Sequence, residues 1–138
     1  MLLSSRFLDN VSSVNSFDFV DKVEFFSGDQ ATVTLQLIDA SLDKENAGFR
    51  PLTAGRRFVP ASGATLQVIL KNLDDAKTYT KVASQPFPTT DPSIWQFSIS
   101  AADAVSGTVS LQLTLTEGAV IRRSLIKAAL RVYPISSV

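Results

Sequence analysis

The side chains of this sequence that could carry out chemistry are carboxylates, serines and lysines, because the chain contains no His and no Cys. Without His it lacks the side chain that titrates near neutral pH and most often serves as a general base. Without either residue it cannot form imidazole or thiolate metal sites, cysteine nucleophiles or redox switches. What remains is a carboxylate pair, a Ser–Lys arrangement or an oxygen-ligated Ca²⁺ or Mg²⁺ site.

These remaining sites lack a specific motif. Asp39, Asp43 and Glu45 follow a predicted strand, but their spacing is not that of an EF-hand loop. A solvated loop is therefore the favoured interpretation. No G-x-S-x-G motif places a serine as a nucleophile. We therefore predict that the chain is not an enzyme and that it uses no cofactor or metal.

Two arginine doublets, Arg56–Arg57 and Arg122–Arg123, are the only adjacent basic pairs. They would form an anion-binding patch if the fold brought them together. No aromatic residues are interleaved with them, as they are in proteins that bind single-stranded nucleic acid. The 13 basic residues also balance 13 acidic ones, so no general positive field exists. We predict no nucleic-acid partner, and we interpret the doublets as contacts to an acidic protein surface or as solvated edges.

Aromatic residues offer an alternative binding function. Trp95, Tyr79 and Tyr133 could form a platform for a carbohydrate, because β-sandwiches frequently carry lectin sites. Trp95, however, has the same phase as Phe97 and Ile99, which predicts that it lies in the core. Only the two tyrosines then remain for a sugar, which is a weak pattern.

The segments that must position these residues alternate between apolar and polar side chains. In Ala31–Ile38, three aliphatic residues (Val33, Leu35, Leu37) alternate with Thr and Gln, which is typical of a half-buried β-strand. The same period of two occurs in the predicted strands Thr65–Lys71, Ile94–Ser100, Thr108–Thr116 and Ser124–Tyr133. In the last of these, Ile126, Ala128, Leu130 and Val132 share the predicted inner face.

Weaker patterns complete the predicted secondary structure. Val20–Phe26 precedes the turn residues Ser27–Asp29, which predicts a hairpin with Ala31–Ile38. Thr78–Ala83 is predicted to be an edge strand because it contains Lys81 and is followed by prolines. Ser100–Val105 is predicted to form a single helical turn between two strands.

Length and composition fit one globular domain: 138 residues, of which 45% are hydrophobic and 19% charged. We therefore predict an all-β fold, a two-sheet antiparallel β-sandwich of seven or eight strands. Its domain comprises residues 20–138. No apolar run is long enough for a membrane span, so we predict no membrane partner. The short start Met1–Leu3 does not resemble a secretory signal, and we expect the mature chain to begin near Met1.

Residues 1–19 form a predicted N-terminal arm that is rich in Ser and Asn and contains scattered apolar side chains. One interpretation is that the arm becomes ordered on a neighbouring subunit, where its apolar side chains are buried. The other is that it frays or is simply the first strand of the sandwich. The predicted partner-binding residues of the arm are Leu3, Phe7, Leu8, Phe17 and Phe19.

The stretch from Val20 to Val132 resembles the small β-sandwich structural proteins of tailed bacteriophage virions. In particular it resembles the immunoglobulin-like or jelly-roll modules found at tails, baseplates and capsid surfaces. The segments that carry the likeness are Phe25–Leu37, Ala61–Leu70, Ile94–Asp103 and Ser106–Gly118.

This resemblance implies a non-enzymatic virion structural protein, a capsid or tail-associated adaptor or decoration subunit. Its partners would be copies of itself and other virion structural proteins, and it would be located in the virion after assembly in the host cytoplasm. A near-zero net charge is compatible with subunits that lie close together. A carbohydrate-binding or adhesion β-sandwich module is the alternative.

Overall fold

The structure of the chain is a computed structural model that describes residues 2–9, 18–20, 22–39, 57–85 and 91–135. It is all-β and consists of two packed sheets, which confirms the predicted fold class. The strands are β1 (Leu3–Asp9), β2 (Asp18–Val20), β3 (Val23–Phe26), β4 (Ala31–Asp39), β5 (Thr65–Asn72), β6 (Thr78–Ala83), β7 (Ile94–Ile99), β8 (Gly107–Glu117), β9 (Val120–Arg123) and β10 (Lys127–Tyr133).

Sheet A has four strands in the order β2-β1-β4-β7. Sheet B has six, in the order β3-β10-β8-β5-β6, with β9 paired to the C-terminal half of β8. All pairs are antiparallel except β3–β10, which is parallel. The described part of the chain thus has ten strands, more than predicted, because β1, β2 and β9 add to the predicted set.

The core lies between the two sheets and is formed by alternate residues of the long strands, as the period of two predicts. Trp95, Phe97 and Ile99 of β7 all face inward and are buried. The aliphatic residues that share this core are Val33, Leu35, Leu37, Leu66, Val68, Leu70, Val109, Leu111, Leu113 and Leu115. Aliphatic side chains from both sheets therefore supply most of the buried surface that stabilises the fold.

β1 belongs to the sandwich and is not a free arm. It pairs with β4 from Leu3 opposite Asp39 to Leu8 opposite Thr34, and Phe7 faces Leu35 across the pair. Leu3 and Phe7 are buried in the shared core. The predicted boundary between an arm of residues 1–19 and a sandwich of residues 20–138 is thus corrected for β1, which supplies a phenylalanine to the core.

The predicted hairpin between Val20–Phe26 and Ala31–Ile38 is wrong. β3 ends at Phe26, and the turn that contains Gly28 leads into β4, but the two strands lie in different sheets. β3 pairs with β10 instead, with Val23 opposite Leu130 and Phe25 opposite Val132. A local turn pattern cannot distinguish a hairpin from a connection that crosses from one sheet to the other.

The predicted inner face of the last strand is correct only in its second half. Leu130 and Val132 are buried, but Ile126 and Ala128 are exposed. The register between β10 and β8 shifts between Lys127 and Leu130, which is a β-bulge or a similar irregularity. An inserted residue reverses the side-chain phase, so the strict alternation fails here.

Short contacts close the sandwich along both sides. On one side, Ser84 after β6 and Gln96 of β7 exchange two backbone hydrogen bonds of 2.8 and 2.7 Å. On the other side, the backbone N–H of Leu125 donates to the carbonyl of Leu3 over 3.0 Å. The predicted turn after β7 is present, since the N–H groups of Asp103 and Ala104 both donate to the carbonyl of Ser100.

Candidate functional site

The predicted partner-binding residues at the N-terminus lie mostly inside the protein. Leu3 and Phe7 are part of the core, and Leu8 is buried on the outer face of sheet A. Phe19 lies in β2, where its backbone is opposite Leu8. Phe17 lies outside the described residues. Leu3, Phe7 and Leu8 therefore provide no surface for a partner.

The described members of the two arginine doublets lie on different sheets, and those in ion pairs have different carboxylate partners. Arg57 forms an isolated bridge with Ile38 of sheet A and an ion pair with Asp91 over 3.1 Å. Arg122 and Arg123 lie on β9 of sheet B, where Arg122 pairs with Glu117 over 3.0 Å. Arg123 is exposed and has no ion-pair partner among the described residues. Arg56 lies outside them.

A polar network covers part of the outer face of sheet A. Arg6 donates two hydrogen bonds to the side-chain oxygen of Gln36, at 2.9 and 2.7 Å. The amide nitrogen of Gln36 donates to the hydroxyl of Ser93 over 3.0 Å, and that hydroxyl donates to Asp91 over 2.7 Å. Asp91 in turn accepts the ion pair from Arg57. The buried polar groups thus satisfy one another, which favours a structural role for this cluster.

The acidic group of this network is held in its charged form. Burial alone would raise the pKa of Asp91, but hydrogen bonds from the hydroxyl and N–H of Ser93 and the charge of Arg57 outweigh burial. The pKa of Asp91 therefore lies below its ordinary value. A carboxylate with a lowered pKa is poorly suited to act as a proton donor or acceptor near neutral pH.

A groove of about 450 Å³ lies where β6 of sheet B approaches β7 of sheet A, and we call it the seam groove. Its lining comprises Gln30, Ala31, Thr32, Lys81, Ser98, Ile99 and Ser100. Lys81 forms an ion pair with Asp103, which also accepts a hydrogen bond from the Ser100 hydroxyl over 3.0 Å. The hydrogen bond from Lys81, the largest cause, lowers the pKa of Asp103 below its ordinary value. The groove is thus polar and contains a paired charge.

Tyr79 belongs to the wall beside this groove and not to an exposed aromatic platform. Its hydroxyl donates to the backbone carbonyl of Asp103 over 3.0 Å, and Lys81 lies 5.8 Å from its ring centroid. Burial raises the pKa of Tyr79, and the negative charges of Asp103 and Asp75 raise it further. These two carboxylates therefore lie close enough to Tyr79 to influence it.

An aromatic pair of one exposed and one half-buried residue lies at the opposite edge of sheet B, and only one of its members was a predicted site residue. Phe26 of β3 and Tyr133 of β10 are opposite each other, with ring centroids 6.2 Å apart and planes tilted by 51°. Arg131 lies over the Tyr133 ring at 5.5 Å, and the Tyr133 hydroxyl donates to Glu24. Phe26 was missed because its strand was expected to face β4.

Large aliphatic side chains are exposed on β9 and on the segment between β9 and β10, which we call the β9–β10 joint (residues 124–126). Ile121 is 58% exposed and Ile126 is 67% exposed. Val120 and Leu125, next to them in sequence, are also exposed. Four such residues within seven positions exceed the scattered surface aliphatics of an ordinary monomer. Val82 on β6, at 73%, is the most exposed large aliphatic residue of the described chain.

The sequence contains two S-x-x-K spacings, of which Ser41–Lys44 lies outside the described residues and Ser124–Lys127 serves the fold. Ser124 and Lys127 have an S-x-x-K spacing, yet the Ser124 hydroxyl accepts the N–H of Leu113 over 2.8 Å and donates to the carbonyl of Leu125 over 2.9 Å. The Lys127 ammonium donates to the backbone carbonyl of Ser5. Neither group is placed to activate the other.

The described residues contain no group of three or more acidic side chains that could hold a metal ion. Asp43 and Glu45 lie outside them. Within the same ranges, no helix is long and apolar enough to cross a membrane.

Comparison of the chain with models of protein families, with curated proteins and with solved structures finds no match.

Proposed function

We propose that this chain is a structural subunit of a virion, an adaptor or decoration protein of a capsid or tail that acts through assembly and not through catalysis. In this proposal it binds copies of itself and other virion structural proteins. It is located in the virion, which is assembled in the host cytoplasm. The likeness of its alternating segments to virion β-sandwich modules suggests this setting.

The observation that supports assembly most strongly is the exposed aliphatic surface on β9 and the β9–β10 joint. Burying apolar surface is favourable by roughly 25 cal/mol per Å², so exposed Ile and Leu side chains gain free energy when a partner covers them. Val120, Ile121, Leu125 and Ile126 lie next to an open strand edge. Apolar side chains beside unpaired backbone groups are typical of a surface that another protein covers.

Light scattering after size-exclusion chromatography tests the proposal on the full-length chain. We expect oligomers whose mass rises with protein concentration, and we expect Ile126→Lys to shift the population toward monomer. Leu73→Lys is the matched control, because Leu73 is also about half exposed but lies in the β5–β6 turn. A chain that stays monomeric at every concentration and binds glycans on an array would contradict the proposal.

Carbohydrate binding is the second candidate, and the pair Phe26 and Tyr133 favours it. One exposed and one half-buried ring beside Arg131 and Glu24 combine an apolar face with hydrogen-bonding groups, as sugar sites do. The rings are tilted, however, so they do not form one flat platform. Loss of glycan-array binding in a Phe26→Ala, Tyr133→Ala double variant would establish this alternative, and an unchanged or absent signal would exclude this site.

A further inference from the structure

Two strands of sheet B each have one backbone edge that is largely unpaired among the described residues. Asn72 donates its N–H to Lys77, and Ser84 exchanges hydrogen bonds with Gln96. Because alternate residues of a strand direct their backbone groups to opposite sides, Thr80 and Val82 direct theirs away from β5. No strand among the described residues pairs with this edge of β6.

The outer edge of β9 is open in the same way. The N–H of Ser124 donates to the carbonyl of Leu113 on β8. By alternation, Val120 and Arg122 face β8, whereas Ile121 and Arg123 direct their N–H and C=O groups away from it. β9 pairs only with β8 in the described structure. Each edge thus offers two residues with free donors and acceptors, a matched set.

The seam groove leaves room for a further strand beside β6. β6 and β7 are joined only at Ser84 and Gln96, and they do not continue as a pair toward Val82 and Ser98. By the same alternation the backbone groups of Ser98 face the groove. Its volume of about 450 Å³ fits a short extended segment. A strand seated there would take its hydrogen bonds from the outward backbone groups of β6.

The charges around the seam groove indicate which kind of segment would bind there. At the open end of the groove, Asp75 and Asp103 lie close to Tyr79, and Asp29 directly precedes the lining residue Gln30. Together with Asp74, these four carboxylates outnumber the three ammonium groups of β5, β6 and the turn between them, those of Lys71, Lys77 and Lys81. β9 carries the complementary charge, since Arg123 is exposed and without an ion-pair partner in the described structure. Opposite charges on two surfaces favour their association and set its register.

We propose that β9 of one copy pairs with the open edge of β6 in the seam groove of a second copy, and so extends sheet B from subunit to subunit. Ile121 would then lie beside Val82 of the second copy, and the two exposed aliphatic side chains would bury each other. The contact is head-to-tail, so it generates a ring or a filament. The inference rests on the proposed assembly function, and it identifies the outer edges of β9 and β6 as the surfaces through which copies bind each other.

Proline substitutions test this contact without disturbing the ladders inside each subunit. Val82→Pro and Ile121→Pro each remove an outward N–H and leave the pairing of β6 with β5, or of β9 with β8, intact. Each variant alone should be monomeric, with self-association at least about tenfold weaker. An equimolar mixture should form a dimer and nothing larger, because each variant keeps the edge that the other lacks. Val82→Thr and Ile121→Thr retain the N–H and are the matched controls.

If a proline variant does not fold, exchanging two charges tests the same contact. Arg123→Glu should weaken self-association about tenfold, and Asp75→Lys in the same chain should restore much of it. Circular dichroism and thermal melting verify the fold of every variant. The inference is overturned by a monomeric wild-type chain, by proline variants that associate like wild type, or by a mixture that forms no dimer. Oligomers that respond to Ile126→Lys but not to these changes would leave the proposed function standing and remove this contact alone.

Discussion

Gly107 and Asn72 show how single residues fix the position at which β8 begins. The side chain of Asn72 is buried and donates to the carbonyls of Val105 and Ser106 at 3.1 and 3.3 Å. Its oxygen accepts the N–H of Asp74 over 2.9 Å. Gly107 approaches this side chain so closely that an added Cβ would lie 2.7 Å from the Asn72 oxygen. The turn after β5 and the start of β8 therefore depend on each other.

We predict that Gly107→Ala destabilises the protein by about 2–4 kcal/mol. Its φ of +139° is a conformation that L side chains rarely adopt, and the new methyl group would collide with Asn72 and Asp74. Urea denaturation measures the free energy of unfolding. Gly63→Ala is the control: its φ is +82°, but nothing lies within 4 Å of the added atom, so it should cost about 1 kcal/mol. Equal costs at both positions would contradict the steric explanation.

The stability of the protein should fall as the pH falls through the acid range. The pKa of Asp91 is lower in the folded chain than its ordinary value, so the unfolded state takes up a proton more readily. The stability that Asp91 contributes is therefore present above its ordinary pKa and is lost as the pH falls through the folded pKa. Urea midpoints measured from pH 7 to pH 2.5 check this, and Asp91→Asn should flatten the curve. An identical pH dependence in this variant would contradict the assignment.

At the scale of elements, β1 tests whether the N-terminal residues form an arm or a strand. We predict that Phe7→Ala destabilises the chain by about 3–5 kcal/mol, because the side chain is completely buried opposite Leu35. Ile126→Ala is the control, because its side chain is largely exposed, and it should change stability by less than about 0.5 kcal/mol. A Phe7→Ala variant as stable as wild type would restore the interpretation of a free arm.

The joint between β9 and β10 depends on one hydroxyl. Ser124 accepts the N–H of Leu113, a fully buried residue at the centre of β8. Removing this acceptor leaves a buried donor unpaired, so Ser124→Ala should cost about 1–3 kcal/mol in unfolding free energy. Ser110→Ala is the control, since its hydroxyl makes only a 3.4 Å hydrogen bond to the carbonyl of Lys71. Similar losses in both variants would show that Ser124 has no special role.

Alternation predicted the elements whose side chains face one core and one outer surface. β4, β5, β7 and β8 follow the expected phase, and β6 lies at an edge of sheet B as Lys81 indicated. A first strand was only one interpretation of the N-terminal residues, because Ser4, Ser5 and Arg6 interrupt the apolar residues of β1. In the structure these three residues pair with β4, so backbone pairing holds them in sheet A independently of their hydropathy.

Pairing partners depend on contacts between distant residues, which a local pattern does not contain. The parallel pair of β3 with β10 joins residues more than one hundred positions apart in the chain. The open edges of β6 and β9 follow from the same long-range order, so the sequence predicted Arg123 as a charged contact but not the strand edge beside it. The aromatic pair of Phe26 and Tyr133 was missed for the same reason.

At the scale of the whole molecule, backbone hydrogen bonds join the two sheets between Ser84 and Gln96 on one side and between Leu125 and Leu3 on the other. β5 and β8 form the longest pair and lie at the centre of sheet B, with all their inward residues buried. β6 is paired with one strand along its length and with Gln96 only at its end. Local opening therefore requires less free energy at edge strands such as β6 and β9 than at the central strands β5 and β8.

The proposed association would make thermal stability depend on protein concentration. A partner that binds only the folded state stabilises it, by about 2.7 kcal/mol when its concentration is one hundred times the dissociation constant. Each kcal/mol raises Tm by about 3–5 °C in a chain of this size. We therefore predict that Tm rises by several degrees as the protein concentration is raised one hundredfold, and that the amides of Thr80 and Val82 exchange hydrogen more slowly at high concentration. The Val82→Pro variant should keep a constant Tm over the same range, because its β6 edge no longer accepts a strand, whereas Val82→Thr should behave as wild type. A wild-type Tm independent of concentration would show that the open edges remain solvated and that the exposed aliphatic residues are not covered by a second copy.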